Sequence, residues 1–400
     1  MGVRSAFSAE AKALWSDGRG PSLVVLATAW GLLVGARMIY PVLIPHLQRT
    51  FDISLTVAGL LVSVLWLCAA IGQLPGGILA DRYDERSLLA TSVLLVAVGL
   101  LFVITAPTLV LLFAATALWG LSHSLYPIAR ITLLSQIYAE RLGSALGVTM
   151  ATGDVGQTVL PPIAAILAAA FAWQVGLGFL VPALVLLALA LLIILPALNV
   201  EEGGGHGPTS AGLRVVLAEI RGPNVALMSG ILLLFIFLWQ SFTAFYPTYL
   251  VSMKGLSPAV ASGLFGFFFA VGVVVKPVAG AAYDRIGMRL SLIGVLLPAV
   301  VGLLLLPLFD NLAFLIAITA LISTMLGTGA ITQSYLAQIF SEDMRGTGLG
   351  IIRTGTAAFG AGGPVVFGFV ADTGYFDEGY IALAVLLAVV ILLTFRMSDE

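Results

Sequence analysis

Long, uninterrupted apolar runs constrain this chain more than any other feature. Residues 181–198 form one, and twelve can be marked: about 22–47, 55–80, 86–105, 109–137, 142–170, 173–198, 223–253, 257–283, 288–307, 311–340, 345–371 and 378–396. An α-helix needs roughly 20 apolar residues to cross the hydrocarbon core of a bilayer. Backbone groups in lipid must be satisfied internally, which leaves only helices or closed barrels. Barrel strands alternate in polarity over about ten residues, and these runs do not alternate. Composition agrees: 60% of the 400 residues are hydrophobic and 10% are charged, against about 25% charged in a soluble domain. The expected fold class is an all-α membrane protein with twelve transmembrane helices.

Other classes drop out on chemistry. The net charge of −2 argues against nucleic acid as a partner. The single cysteine, Cys68, lies inside an apolar run, which leaves no intramolecular disulfide and no basis for a thiolate metal site. The Gly346-x-Gly348-x-Gly350 stretch follows no strand and opens a membrane helix, so it is not a nucleotide loop. HExxH, GxSxG and a Walker lysine are all missing from the sequence, and with them the usual marks of an enzyme. No catalytic centre, metal or cofactor is expected. The first 21 residues are polar and mixed in charge, and the run after them is too long for a signal-peptide core, so it reads as a retained first span.

The segment 199–222 is the one sizeable break. It carries Glu201-Glu202, Gly203-Gly204-Gly205 and Pro208, with a surface helix expected near 211–220. It divides the chain into an N-terminal bundle (1–198), a linker (199–222) and a C-terminal bundle (223–400) of six spans each. Of eighteen Lys/Arg, twelve fall on the side of the N-terminus (Arg4, Lys12, Arg19, Arg82, Arg86, Arg141, Arg214, Arg221, Arg285, Arg289, Arg345 and Arg396), while Arg49 and Lys254 fall on the other. The positive-inside rule then puts both termini and the linker in the cytoplasm, with the protein multi-pass in the plasma (inner) membrane. The halves also repeat. Gly77-Ile78-Leu79-Ala80-Asp81-Arg82 with Arg86 recurs as Gly280-Ala281-Ala282-Tyr283-Asp284-Arg285 with Arg289. Gln136-Ile137-Tyr138 recurs as Gln338-Ile339-Phe340; Gly143, Gly147 and Pro161 recur as Gly346, Gly350 and Pro364; Tyr40-Pro41 recurs as Tyr246-Pro247. Parallel repeats of six spans enclosing a midplane site are a transporter architecture.

On these residues the sequence resembles the major facilitator superfamily over essentially its whole length. The signature loop after the second span, Gly-x-x-x-Asp-Arg-x-Gly-Arg in outline, is matched by Gly77, Asp81, Arg82 and Arg86, with Asp84 where the pattern has glycine. The second copy keeps that glycine as Gly287, beside Gly280, Asp284, Arg285 and Arg289. The resemblance implies that Asp81 and Asp284 gate alternating access through cross-half contacts. A carboxylate at such a helix end can face the positive N-terminus of a helix that starts on the same side. For the arginines, gating and simple topological anchoring both stand.

Ionisable residues inside spans carry the functional reading, because each costs about 2.5–3.5 kcal/mol or more at the bilayer centre. Five are present: Arg37, Arg130, Asp154, Lys276 and Arg353. Four are basic and one is acidic, so an anion is the natural counter-charge. The first-span arginine, the Tyr126-Pro127-x-x-Arg130 segment and Leu160-Pro161-Pro162 resemble organic-anion members of the anion:cation symporter group. That group often has an acid before the first-span arginine, where this chain has Ala36. Lys276, eight residues before Asp284, is similar to the basic residue of oxalate/formate, monocarboxylate and nitrate carriers. Expected substrate ligands are Arg37, Arg130, Lys276, Arg353, Gln157, Gln240 and Tyr246. Asp154 reads as a proton carrier or as a partner of Arg130, and His123 as a second proton-coupling candidate, since the ordinary histidine pKa is near 6.5. Gly143/Gly147 and Gly346/Gly350 are small-xxx-small pairs that allow close helix approach.

The expected function is secondary transport of a small organic anion, mono- or dicarboxylate, by proton symport or anion exchange, in a functional monomer. The alternative is a drug or metabolite efflux antiporter of the same fold. Against it, Gly153-Asp154-Val155-Gly156-Gln157 lacks the proline of the antiporter motif.

Overall fold

The computed structural model describes residues 14–80, 83–196, 222–339 and 345–397. The linker with its expected helix at 211–220, and Asp81 and Arg82, lie outside these. Among the described residues all regular structure is helical. The helices are α1 (Gly20–Phe51), α2 (Leu55–Ile71), α3 (Gln73–Ala80), α4 (Glu85–Thr105), α5 (Leu109–Ile137), α6 (Leu142–Ala170), α7 (Trp173–Gly178) and α8 (Leu180–Ile194). They continue with α9 (Pro223–Ser252), α10 (Pro258–Leu305), α11 (Leu312–Ser323), α12 (Thr328–Ile339), α13 (Arg345–Gly360), α14 (Gly363–Asp372) and α15 (Phe376–Thr394).

Ten of the helical stretches are long and apolar enough to cross a membrane, and Leu55–Ile71 is a shorter apolar helix. The 48 residues of α10 would run about 72 Å as a straight helix, more than twice a bilayer core. Gly287 interrupts it with φ 78° and ψ 175°, dividing it into the two segments that the sequence separates there. Each of the twelve apolar runs thus falls mainly on helix. Starts are set by ordinary capping: Asp84 accepts from Ser87 N, Thr108 from Leu111 N and Ser257 from Val260 N, with Pro258 following the last. Such side chains satisfy N–H groups that the first helical turn leaves unpaired.

Contacts group the chain into two compact units, Met1–Ile39 with Ile71–Gly205, and Tyr40–Ala70 with His206–Glu400. They differ from the halves expected from the repeat mainly in residues 40–70, which join the second unit. In the first, α4 packs against α5 and α8, and α6 against α7. In the second, α10 packs against α11 and α15, and α9 against α13, α14 and α15.

Glycine decides one packing contact in the first unit, though not at the pairs the sequence suggested. A Cβ on Gly143, Gly147 or Gly350 would meet no atom within 4 Å. A Cβ on Gly156 would lie 2.0 Å from Gly31 O, and one on Gly35 would lie 2.5 Å from Gly156 O. Here α1 and α6 touch backbone to backbone, the close approach that small residues permit between membrane helices. Small-xxx-small spacing marks where approach is allowed; which helix faces the stripe decides whether it happens.

Candidate functional site

Three ionisable residues of the first unit, Arg37, His123 and Arg130, lie on the face that α1 and α5 share. Trp30 and Arg37 are seven residues apart, as are His123 and Arg130, so each pair occupies one helix face, about 10 Å along the axis. Tyr126 falls on the same face as the second pair. The guanidinium carbon of Arg130 sits 3.9 Å over the Trp30 ring. Trp30 also stacks on Tyr126 at 6.3 Å and 16°, and lies 6.1 Å from the His123 ring. His123 is within electrostatic reach of both Arg37 and Arg130. The order Arg130, Trp30, His123, Arg37 is a ladder with a cation at each end.

Interior contacts hold this ladder in place. Arg130 and His123 are only 5% and 2% exposed, while Arg37 and Trp30 keep a partly accessible edge. Arg130 Nη1 donates to Thr149 Oγ1 of α6 at 3.1 Å. Tyr126 OH donates to Leu26 O at 2.9 Å, which fixes the register of α5 on α1. Nδ1 of His123 is buried without a hydrogen-bond partner among the described residues, and a buried polar atom of this kind costs about 1–3 kcal/mol. A guanidinium toward either end of the ladder and an unsatisfied imidazole nitrogen between them suit an incoming anion or acid.

The remaining candidates lie on α6, α9, α10 and α13. Asp154 and Gln157 are buried on α6, and Gln157 Nε2 donates to Asp154 Oδ1 at 3.4 Å. Lys276 on α10 is half-buried and Arg353 on α13 is exposed, both in the second unit. Gln240 of α9 is buried with Oε1 lacking a hydrogen-bond partner among the described residues. Tyr246 is fully buried, stacked 4.7 Å from Phe242, with its hydroxyl engaged by Thr319 Oγ1.

The described parts of the signature loops share their arginine contacts in the two halves. Gly77 and Gly280 lie in helix, on α3 and α10, and Asp284 and Arg285 are exposed. Arg86 Nη1 donates to Leu195 O at 3.3 Å, at the end of α8, and Arg289 Nη2 donates to Met397 O just beyond α15. Each arginine therefore meets the carbonyl end of its own half's last helix, where a cation is favoured by the helix dipole. The departure at Asp84 also has a cause. Gly287 has φ 78°, which favours glycine. Asp84 has φ −54° and caps α4 through Ser87 N at 3.0 Å, a task at which aspartate is among the best residues.

Sequence reasoning missed a second carboxylate site. Asp372, the last residue of α14, accepts from Leu55 N and Thr56 N, each at 2.7 Å, and from Thr56 Oγ1. It caps the N-terminus of α2, a helix more than 300 residues earlier in the chain. Nearby, Val365 N donates to Ser63 Oγ at 3.2 Å, and a Cβ on Gly59 would lie 2.3 Å from Pro364 O. The available signals were an acid at the close of an apolar run and Ser54-Leu55-Thr56 at the start of another. Trp30 and Thr149 were missed too: an aromatic or a threonine in an apolar run carries no mark of its own.

The Major Facilitator Superfamily profile matches residues 25–333. A putative uncharacterized transporter of Escherichia coli K12, YgaY, is 30% identical over 186 residues; that match takes in 45% of this chain and spans about half, 46%, of that relative's length. The nitrite extrusion protein of Bacillus subtilis 168 is 24% identical over 84% of both chains, and the hexuronate transporter of the same organism is 23% identical over 84% of both. Among solved structures, a bacterial homolog of the human lysosomal transporter Spinster superposes with a TM-score of 0.81 at 16% identity, covering 95% of this chain and 97% of that one. At that identity the superposition shows a shared fold.

Proposed function

The chain belongs to the Major Facilitator Superfamily and is a multi-pass membrane transporter; from that premise we propose that it moves a small carboxylate-type anion by alternating access, bound in the first unit by Arg37 and Arg130. The observation that carries this reading is the ladder: two arginines on one α1/α5 face with a buried, unsatisfied imidazole nitrogen between them. Such charges are costly inside a membrane and mark substrate or ion pathways. The names of the Bacillus subtilis relatives, nitrite extrusion protein and hexuronate transporter, support an anion over a sugar or a cationic drug. Lys276, Arg353, Gln157 and Gln240 remain candidate ligands, and Asp154 and His123 remain candidate proton carriers for symport, with anion exchange as the other coupling mode. Both termini are taken as cytoplasmic on the lysine and arginine bias, with Asp81 and Asp284 gating on that side and Asp372 at the opposite end of α2.

The test is equilibrium binding of D-glucuronate and nitrate to the purified full-length protein, read as ligand-induced thermal stabilisation. Arg130→Gln keeps a hydrogen-bonding side chain and removes the charge. A hydrogen bond to a charged group contributes about 1.5–3 kcal/mol, so affinity should fall roughly tenfold to a hundredfold. Wild-type protein that binds neither anion, or a folded Arg130→Gln variant that binds with unchanged affinity, overturns the reading.

A further inference from the structure

We propose that Trp30 is the specificity-determining residue of the anion site: it holds the Arg130 guanidinium in one orientation and so selects planar anions with two adjacent oxygens, such as carboxylate, nitrate or nitrite, over tetrahedral ones. This rests on the reading of Arg130 as an anion ligand and goes beyond it, because nothing in that reading requires an aromatic neighbour.

The guanidinium is held from two sides. Its carbon lies 3.9 Å from the centre of the Trp30 ring, and Nη1 is engaged by Thr149. A cation over an indole face is favoured by the ring quadrupole, most strongly where water is excluded, and Arg130 is 5% exposed. Two anchors on one planar group remove its freedom to turn. The indole is itself fixed. It stacks on Tyr126 at 16°, and the Tyr126 hydroxyl is tied to the α1 backbone at Leu26 O. On its other side a glycine makes the room: a Cβ on Gly153 would lie 2.7 Å from Trp30 Nε1. Gly153 and Gly156 therefore do different things on α6, one seating the indole and the other admitting the α1 backbone.

Selectivity follows from the geometry of charge. The face of an aromatic ring is negative and its edge positive, so the face that attracts the guanidinium repels anion oxygens. An anion must then meet the guanidinium at an edge directed away from the indole. A planar pair of oxygens matches the fixed N–H fork of an arginine. A tetrahedral anion carries further oxygens to either side, and one projecting toward the indole meets the negative face. A guanidinium released from Trp30 could reorient and accept both shapes.

The experiment measures dissociation constants of full-length wild type, Trp30→Leu, Trp30→Phe, Gly153→Ala and Arg130→Gln for three probes: nitrate, D-glucuronate and inorganic phosphate. Loss of one desolvated cation–π contact predicts about tenfold weaker nitrate and glucuronate binding in Trp30→Leu, with a smaller change for phosphate, so the planar-to-tetrahedral ratio narrows. Trp30→Phe should retain most of the ratio, because an aromatic face remains. Gly153→Ala should behave like Trp30→Leu by displacing an unmutated indole, which keeps the proposal testable if Trp30→Leu fails to fold. An unchanged ratio in folded Trp30→Leu or Gly153→Ala, alongside lost binding in Arg130→Gln, would sink the role of Trp30 and leave the anion site standing. Wild-type protein binding none of the three probes would remove the site itself.

Discussion

Asp372→Asn is the sharpest test of how the helices work against one another, because it changes one charge at a contact that joins residues of the first and second halves of the sequence. The carboxylate takes two backbone N–H groups at 2.7 Å and one hydroxyl. Asparagine keeps a neutral acceptor of the same shape, but loses the second oxygen and the charge facing the start of α2. The helix-dipole contribution at an exposed site is about 0.3–1 kcal/mol. Hydrogen bonds to a charged acceptor are roughly twice as strong as neutral ones, which adds about 1 kcal/mol. Asp372 is exposed, so solvent screening keeps the sum at about 1–2 kcal/mol. In the proposed alternating-access cycle, any step that opens α2 from α14 breaks these bonds, and that much free energy shifts a two-state balance roughly five- to thirtyfold. Ser63 is 7% exposed and faces Val365 across the contact. A Ser63→Cys thiol in a Cys68→Ser background should therefore react with an impermeant maleimide about five to thirty times faster when Asp372→Asn is added. Equal labelling rates, with transport also unchanged, would mean that the carboxylate merely decorates the end of α2.

The remaining predictions concern glycines whose surroundings differ. Gly156→Ala puts a Cβ 2.0 Å from the Gly31 carbonyl; neither backbone can yield, so the yield of monodisperse protein in size-exclusion chromatography should collapse, while Gly143→Ala, with open space around it, should leave it unchanged. Gly287→Ala forces an L-residue to φ 78° at a cost of about 1–2 kcal/mol, so the thermal midpoint should fall by about 2–6 °C, and an unaltered midpoint would show that the turn relaxes without strain.

What the sequence made legible and what it hid divide along a physical line. The twelve runs could be read because lipid demands contiguous apolar residues, and the repeat could be read because it preserves residues at fixed offsets. Arg37 and Arg130 stood out because a guanidinium in an apolar span has no inexpensive explanation. Trp30 did not, since an aromatic in such a span looks like packing, and only the placement of α5 against α1 puts it over Arg130. Asp84 read as a departure from a pattern because the pattern records residue type, whereas the two copies differ in backbone here: a helix cap at φ −54° in one and a turn at φ 78° in the other, and only the second favours glycine. Gly31, Gly35 and Gly156 were hidden among 44 glycines, because close approach belongs to a pair of helices and one sequence stripe names only half of it. The ladder is the instructive case. Its two seven-residue spacings, 30 to 37 on α1 and 123 to 130 on α5, run in opposite directions along helices that alternate through the membrane. Arg130 therefore meets the tryptophan while His123 comes within electrostatic reach of Arg37, and the cations end up at the two ends instead of side by side. Equal offsets on spans of opposite direction become a signal only once the packing of α5 on α1 is known. That is why position 30 stayed hidden in the sequence.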